Sequence, residues 1–168
     1  MNNELRSLRN EERAFVRFIN ATERTVRIVW VGFSGQYVTY NYLAKGNYID
    51  INTYKQHPWI ALDTSTEDRL LIDRKYVYFP RTTKEYFEER MPGKALPPNF
   101  ETRIKVYVTL PLYSLRYRAL MELRNHFDTT EGIEDLELPR QLTEDLKKLI
   151  TQRNNQKNDC NTPPEQPL

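Results

Sequence analysis

Thr25-Val26-Arg27-Ile28-Val29-Trp30-Val31 alternates two sets of side chains, with Val26, Ile28 and Trp30 on one side and Thr25, Arg27, Val29 and Val31 on the other. A period of two through β-branched and aromatic residues predicts a strand with a buried face. Ser34-Gly35 follows and turns the chain. Similar short runs lie on both sides: Phe15 to Ile19, Tyr37 to Tyr42, Tyr48 to Tyr54, Trp59 to Leu62, Leu70 to Tyr78 and Arg103 to Thr109. Six or seven such strands predict a mainly β protein built as a β-sandwich.

Composition agrees with this. Eleven Tyr, 7 Phe and 2 Trp accompany only 5 Gly, and aromatic residues suit half-buried pleated surfaces. A length of 168 residues allows one domain of ordinary size followed by a smaller one. The 25 basic and 23 acidic side chains leave a net charge of +2, which points neither to nucleic acid nor to an anionic membrane. Cys160 has no second cysteine to pair with, so the chain is expected in a reducing compartment, the cytoplasm or nucleus. Charged residues near the N-terminus and the lack of a long apolar run predict no signal peptide and no membrane span.

Between Pro80 and Phe100 the sequence carries Pro92-Gly93 and Pro97-Pro98 among many charges, which predicts a long exposed loop over about 80–100. The texture changes after Leu110-Pro111-Leu112-Tyr113. Ser114 can cap a helix in which Leu115, Ala119 and Leu123 recur at helical spacing through about Phe127. A second helix is expected after Pro139, where Leu142, Leu146, Leu149 and Ile150 form a stripe. The Asn-, Gln- and Pro-rich tail has little to bury. The expected organisation is a β domain over 1–112, a helical domain over 113–151 and a flexible tail over 152–168.

Enzymatic signatures are missing from the sequence. His57, His126 and Cys160 do not fall at the spacing of a zinc site, and there is no phosphate loop, nucleophile elbow or paired-carboxylate motif. A binding module without cofactor or metal is the expectation.

Tyr48-Ile49-Asp50-Ile51-Asn52-Thr53-Tyr54-Lys55-Gln56-His57-Pro58-Trp59, together with Val29-Trp30-Val31-Gly32-Phe33 and Tyr40, resembles the von Hippel–Lindau family of substrate-recognition subunits of elongin–cullin ubiquitin ligases. The Thr-Tyr-x-x-His-x-Trp spacing carries the resemblance. It implies a β-sandwich pocket that receives a 4-hydroxyproline of the hypoxia-inducible factor α subunit. The wall tryptophans of that family fall on Trp30 and Trp59, its pocket tyrosine on Tyr40, its imidazole on His57 and its hydroxyl group on Thr53, where the family usually has Ser. Asn20 is a further expected support for the peptide. These residue types suit the task, because a proline ring packs on aromatic faces while its added hydroxyl needs one donor and one acceptor.

Ser114-Leu115-Arg116-Tyr117-Arg118-Ala119-Leu120-Met121-Glu122-Leu123 resembles the elongin-C-binding box of the same family. The resemblance assigns Ser114, Leu115, Ala119 and Leu123 to elongin C, itself partnered by elongin B. Ala119 replaces the usual Cys, a loss on the order of 1 kcal/mol of apolar contact. Leu138-Pro139-Arg140-Gln141-Leu142 resembles the cullin box, which assigns Leu138, Pro139 and Leu142 to a cullin.

The resemblance thus implies a non-catalytic receptor that directs the hypoxia factor to ubiquitination and proteasomal degradation, in the tumour-suppressor and hypoxia-response setting of that family. Two other readings are a structural or cytoskeletal interaction protein that uses its β surface independently of hydroxyproline, and an enzyme.

Overall fold

The computed structural model describes residues 5–160. Seven strands come first, interrupted by one helix: β1 Arg13–Asn20, β2 Val26–Val31, β3 Tyr37–Leu43, β4 Tyr48–Tyr54, β5 Trp59–Asp63, β6 Arg69–Ile72, then α1 Thr83–Arg90 and β7 Ile104–Thr109. Two longer helices follow, α2 Leu115–Arg124 and α3 Arg140–Cys160, with a short 3-10 turn Ile133–Leu136 between them. The protein is mainly β with a small helical part. No described helix is long and apolar enough to cross a membrane.

The strands hydrogen-bond in the order β3-β2-β5-β6-β7-β1-β4. β6 joins the two halves through two residue pairs on each side, Ala61↔Leu70 and Leu62↔Arg69 to β5, Leu71↔Thr109 and Ile72↔Val108 to β7. All pairings are antiparallel except β1 with β7. The main core lies between the halves and includes Phe18, Ile28, Ile51, Trp59, Ile72, Tyr78 and Val106.

β2 and β5 are buried on both faces. Val26 and Ile28 enter the main core, while Val29 and Val31 meet Ile60 and Leu62 in a second cluster covered by Leu5, Tyr37 and Val77. The alternation read from the sequence therefore holds, but both of its faces find cover. Gly35 makes the turn after β2 at φ 82°, a left-handed conformation that glycine adopts without steric cost.

Three expected boundaries differ. The run Leu70 to Tyr78 is cut at Asp73 and Arg74, which have φ of 49° and 65°. Ile72 and Lys75 exchange main-chain hydrogen bonds of 2.9 and 3.0 Å across them, the arrangement of a tight hairpin turn. The stretch 80–100 is not wholly loop. Thr82 and Glu85 form a reciprocal capping box that starts α1, satisfying backbone donors that a loop would leave to water.

The third difference is at the C-terminal end. α3 continues through residues 152–160 instead of giving way to a flexible tail there, and residues 161–168 lie outside the described residues. Arg153 explains the continuation. Its buried guanidinium donates to the carbonyls of Arg124, the last residue of α2, at 3.2 Å and of Phe127 just beyond it at 2.6 Å, so α3 is tied to the end of α2 and to the turn that follows.

Candidate functional site

Tyr40 owes its position to an irregularity in β3. The β2–β3 register steps from Ile28↔Asn41 to Val29↔Thr39, leaving Tyr40 as the extra residue of a bulge. Bulges re-aim side chains, and here the half-exposed Tyr40 ring stands edge-on to Trp59, 5.0 Å between centroids at 76°.

Trp59 opens β5, directly across from Trp30 on β2. Its indole also contacts Phe18 at 5.3 Å, and its Nε1–H donates to the hydroxyl of Thr53 at 3.2 Å. Trp59 is 1% exposed and Thr53 is 5% exposed, so the pair forms part of the core wall. The Thr53 hydroxyl accepts one bond there and keeps its proton for another acceptor.

His57 lies in the turn between β4 and β5, its amide bonded to the carbonyl of Tyr54 at 3.1 Å. Three rings enclose the buried imidazole: Trp30 at 5.3 Å, Phe33 at 5.5 Å and Tyr54 at 5.1 Å. Burial pushes the imidazole below its ordinary value, against an opposing hydrogen bond with the main chain of Leu8. At neutral pH the ring is uncharged, with one N–H and one lone pair.

The segment before β1 crosses this end of the sheet and meets the polar atoms of the aromatic cluster. The Trp30 Nε1–H donates to Ser7 Oγ at 2.6 Å, and Ser7 donates in turn to the Val31 carbonyl. His57 Nε2 lies 2.7 Å from Asn10 Oδ1. Ser7 and Asn10 were not legible as site residues. They precede the first strand in a polar stretch without periodicity, and only the path of the chain brings them to Trp30 and His57.

Trp30 and Trp59, paired across β2 and β5, thus link Tyr40 of β3, Thr53 of β4 and His57 of the β4–β5 turn into one connected group. Asn20 does not join it. Thr53 pairs with Ala14 at the start of β1, whereas Asn20 ends that strand, ~20 Å of extended chain away. Asn20 is fully buried, donates to the carbonyls of Arg24 at 2.7 Å and Leu43 at 2.9 Å, and accepts from the amide and hydroxyl of Thr22. It organises the β1–β2 turn and has no donor or acceptor left to offer a peptide.

On the helices, Ser114 caps α2 by accepting from the Tyr117 amide at 3.2 Å. Leu120 faces inward against Ile133, Leu146, Leu149 and Ile150, with Leu123 partly buried beside them. Leu115 is 85% exposed, preceded by an Leu112 that is wholly exposed, and Ala119 is exposed on the same helix. Pro139 is exposed where α3 begins, while Leu138 and Leu142 pack partly into the helical core. No group of three or more metal-ligating side chains is gathered among the described residues.

The chain thus combines a β body carrying an aromatic cluster around a buried imidazole with a helical part that leaves Leu112 and Leu115 exposed. Residues 5–86 match the model of the VHL beta domain, so the chain carries a domain of that family. It is similar to Protein Vhl of Drosophila melanogaster, 23% identical over 142 residues that cover 82% of this chain and 78% of the relative.

Proposed function

We propose that this chain is the substrate receptor of an elongin–cullin ubiquitin ligase whose β-sandwich captures a 4-hydroxyproline of the hypoxia-inducible factor α subunit. The observation that carries the reading is the convergence of Trp30, Tyr40, Thr53, His57 and Trp59 on one site. The proline ring packs against indole and phenol faces. Thr53, whose oxygen already accepts from Trp59, donates its proton to the added hydroxyl, and neutral His57 accepts the proton of that hydroxyl.

Specificity follows from bonds left unmade. An unmodified proline leaves desolvated polar groups unpaired at about 1–3 kcal/mol each, enough for discrimination on the order of two decades.

The helical part attaches the receptor. Ser114, Leu115, Ala119 and Leu123 engage elongin C, with elongin B behind it. Exposed Leu115 and Ala119 support this, because an apolar stripe used only within the chain would be covered by α3. Leu138, Pro139 and Leu142 face the cullin. The chain itself is not catalytic; the assembly supplies proximity between substrate lysines and a ubiquitin-charged enzyme, and degradation follows in the cytoplasm and nucleus.

The burial of Trp59 and Thr53 favours a second reading, in which they form only a core pair and the β surface serves an interaction protein indifferent to hydroxylation. Calorimetric titration of the chain, co-expressed with the elongins, separates the two. The receptor binds a degron peptide about a hundredfold more tightly when its proline is hydroxylated; equal binding of both forms establishes the second reading.

A further inference from the structure

Asn10 lies on a segment that is anchored on both sides of it. Before it, the Ser7 amide donates to Gly32 at 2.9 Å and the Leu8 amide donates to Gln56 at 3.2 Å. After it, the Glu12 carbonyl accepts from the Lys55 amide at 3.0 Å. The backbone around Asn10 is thus already ordered, and its carboxamide reaches the ring at little further entropic cost. The group of this segment that meets the imidazole is Asn10 Oδ1, an acceptor 2.7 Å from Nε2. A neutral imidazole with an acceptor at Nε2 turns its single N–H toward it and leaves its other nitrogen as a lone pair.

We propose that Asn10 is a positioning residue that holds the His57 proton on Nε2, so that Nδ1 stands as the acceptor for the hydroxyl of the modified proline. This rests on the receptor reading above and adds to it a residue that acts through His57. The tautomer matters because Thr53 already accepts from Trp59 and is best used as the donor. The hydroxyl proton then needs a lone pair elsewhere, and with the imidazole proton on Nδ1 it would face another donor.

The test uses the full chain with nitrogen-15-labelled histidine. The His57 ring signals are distinguished from those of His126 by a His126→Gln variant. Asn10→Ala is expected to move the His57 ring nitrogens away from the pattern of a fixed Nε2–H tautomer. It should also weaken binding of the hydroxylated degron peptide about fivefold, the effect of one modest hydrogen bond, with the unhydroxylated peptide unaffected. Asn10→Asp, which keeps an acceptor, is expected to restore the ring pattern at about pH 8, where the imidazole is neutral.

Unchanged ring signals in Asn10→Ala overturn the proposal. So does equal weakening of both peptides, the signature of a merely structural segment. If the unaltered chain binds neither peptide while its ring signals respond to Asn10→Ala, the receptor reading falls and the recognition role falls with it, although the proton assignment stands.

Discussion

Arg124 on α2 and Asp68 in the β5–β6 turn form a two-pronged ion pair, Nη1 to Oδ1 at 2.6 Å and Nη2 to Oδ2 at 2.8 Å, where the helical part meets the β body. The arginine side chain is 3% exposed and the aspartate 13%. This pair ties the helical part to the sheet that carries the candidate site.

Removing one partner of such a pair leaves an uncompensated buried charge, and Arg124→Ala should cost about 3–5 kcal/mol. Replacing both residues with apolar ones of similar volume should cost less than either single change. Urea denaturation of the single and double variants measures the coupling; a loss under about 1 kcal/mol for Arg124→Ala would show that the joint is held by other contacts.

Thr53→Val keeps the shape of the side chain but removes the acceptor of the Trp59 indole. The stranded N–H should lower stability by about 1–3 kcal/mol. Thr53→Ser keeps the bond and should lose about 1 kcal/mol, the worth of a buried methyl group. Equal stability of the Val and Ser variants contradicts this role for the hydroxyl.

Leu115→Asp should leave the isolated chain within about 0.5 kcal/mol of its original stability, because the side chain is 85% exposed, yet release elongin C in a pull-down. Leu120→Ala, one position around from Ala119 and buried in the helical core, should lower stability by about 2–5 kcal/mol. Retention of elongin C by Leu115→Asp would exclude this face as the attachment surface.

His57 predicts a pH dependence of known sign. Burial depresses its folded pKa below the ordinary 6.5, so the unfolded chain takes up the proton more readily. Its stabilising contribution is complete above about pH 6.5 and is lost as pH falls through the folded value. Denaturation midpoints should therefore fall between about pH 7 and pH 5, less steeply in His57→Gln. Parallel curves for the two proteins would exclude His57 as the source.

Arg153→Ala should loosen the end of α2 and shorten α3, since Arg153 donates to the carbonyl of Arg124 at the end of α2 and to that of Phe127 just beyond it. Hydrogen bonds of a charged donor contribute about 1.5–3 kcal/mol each. Helicity by circular dichroism and the denaturation midpoint should fall together; an unchanged spectrum would place the cause of the long helix elsewhere.

The order of elements was largely legible because it follows from local pattern. Alternation from Thr25 to Val31, the apolar runs and the Ser114 cap each state their structure within a few residues, and the sheet and α2 stand where those signals lie. The family resemblance, carried by the Thr53-x-x-x-His57-x-Trp59 spacing, also singled out Trp30 and Tyr40, and the fold links all five. Asn20 misled because a buried asparagine in a turn and one in a site have the same sequence appearance. α1 was hidden by the prolines and charges around a short capping box, and residues 152–160 by a polar composition whose helical support lies in Arg153.

What the sequence determined by itself was therefore its mainly β class, its change to helix after Tyr113 and the residue types available for a site. The tertiary structure alone decided that Tyr40 is the bulged residue turned onto Trp59, that Ser7 and Asn10 reach Trp30 and His57, and that Leu120 is buried while Leu115 is not. The division has a physical cause. Periodicity and capping act over a few neighbouring residues, whereas the partner of a buried polar atom is chosen by where distant segments of the chain come to lie, and only the folded packing supplies that.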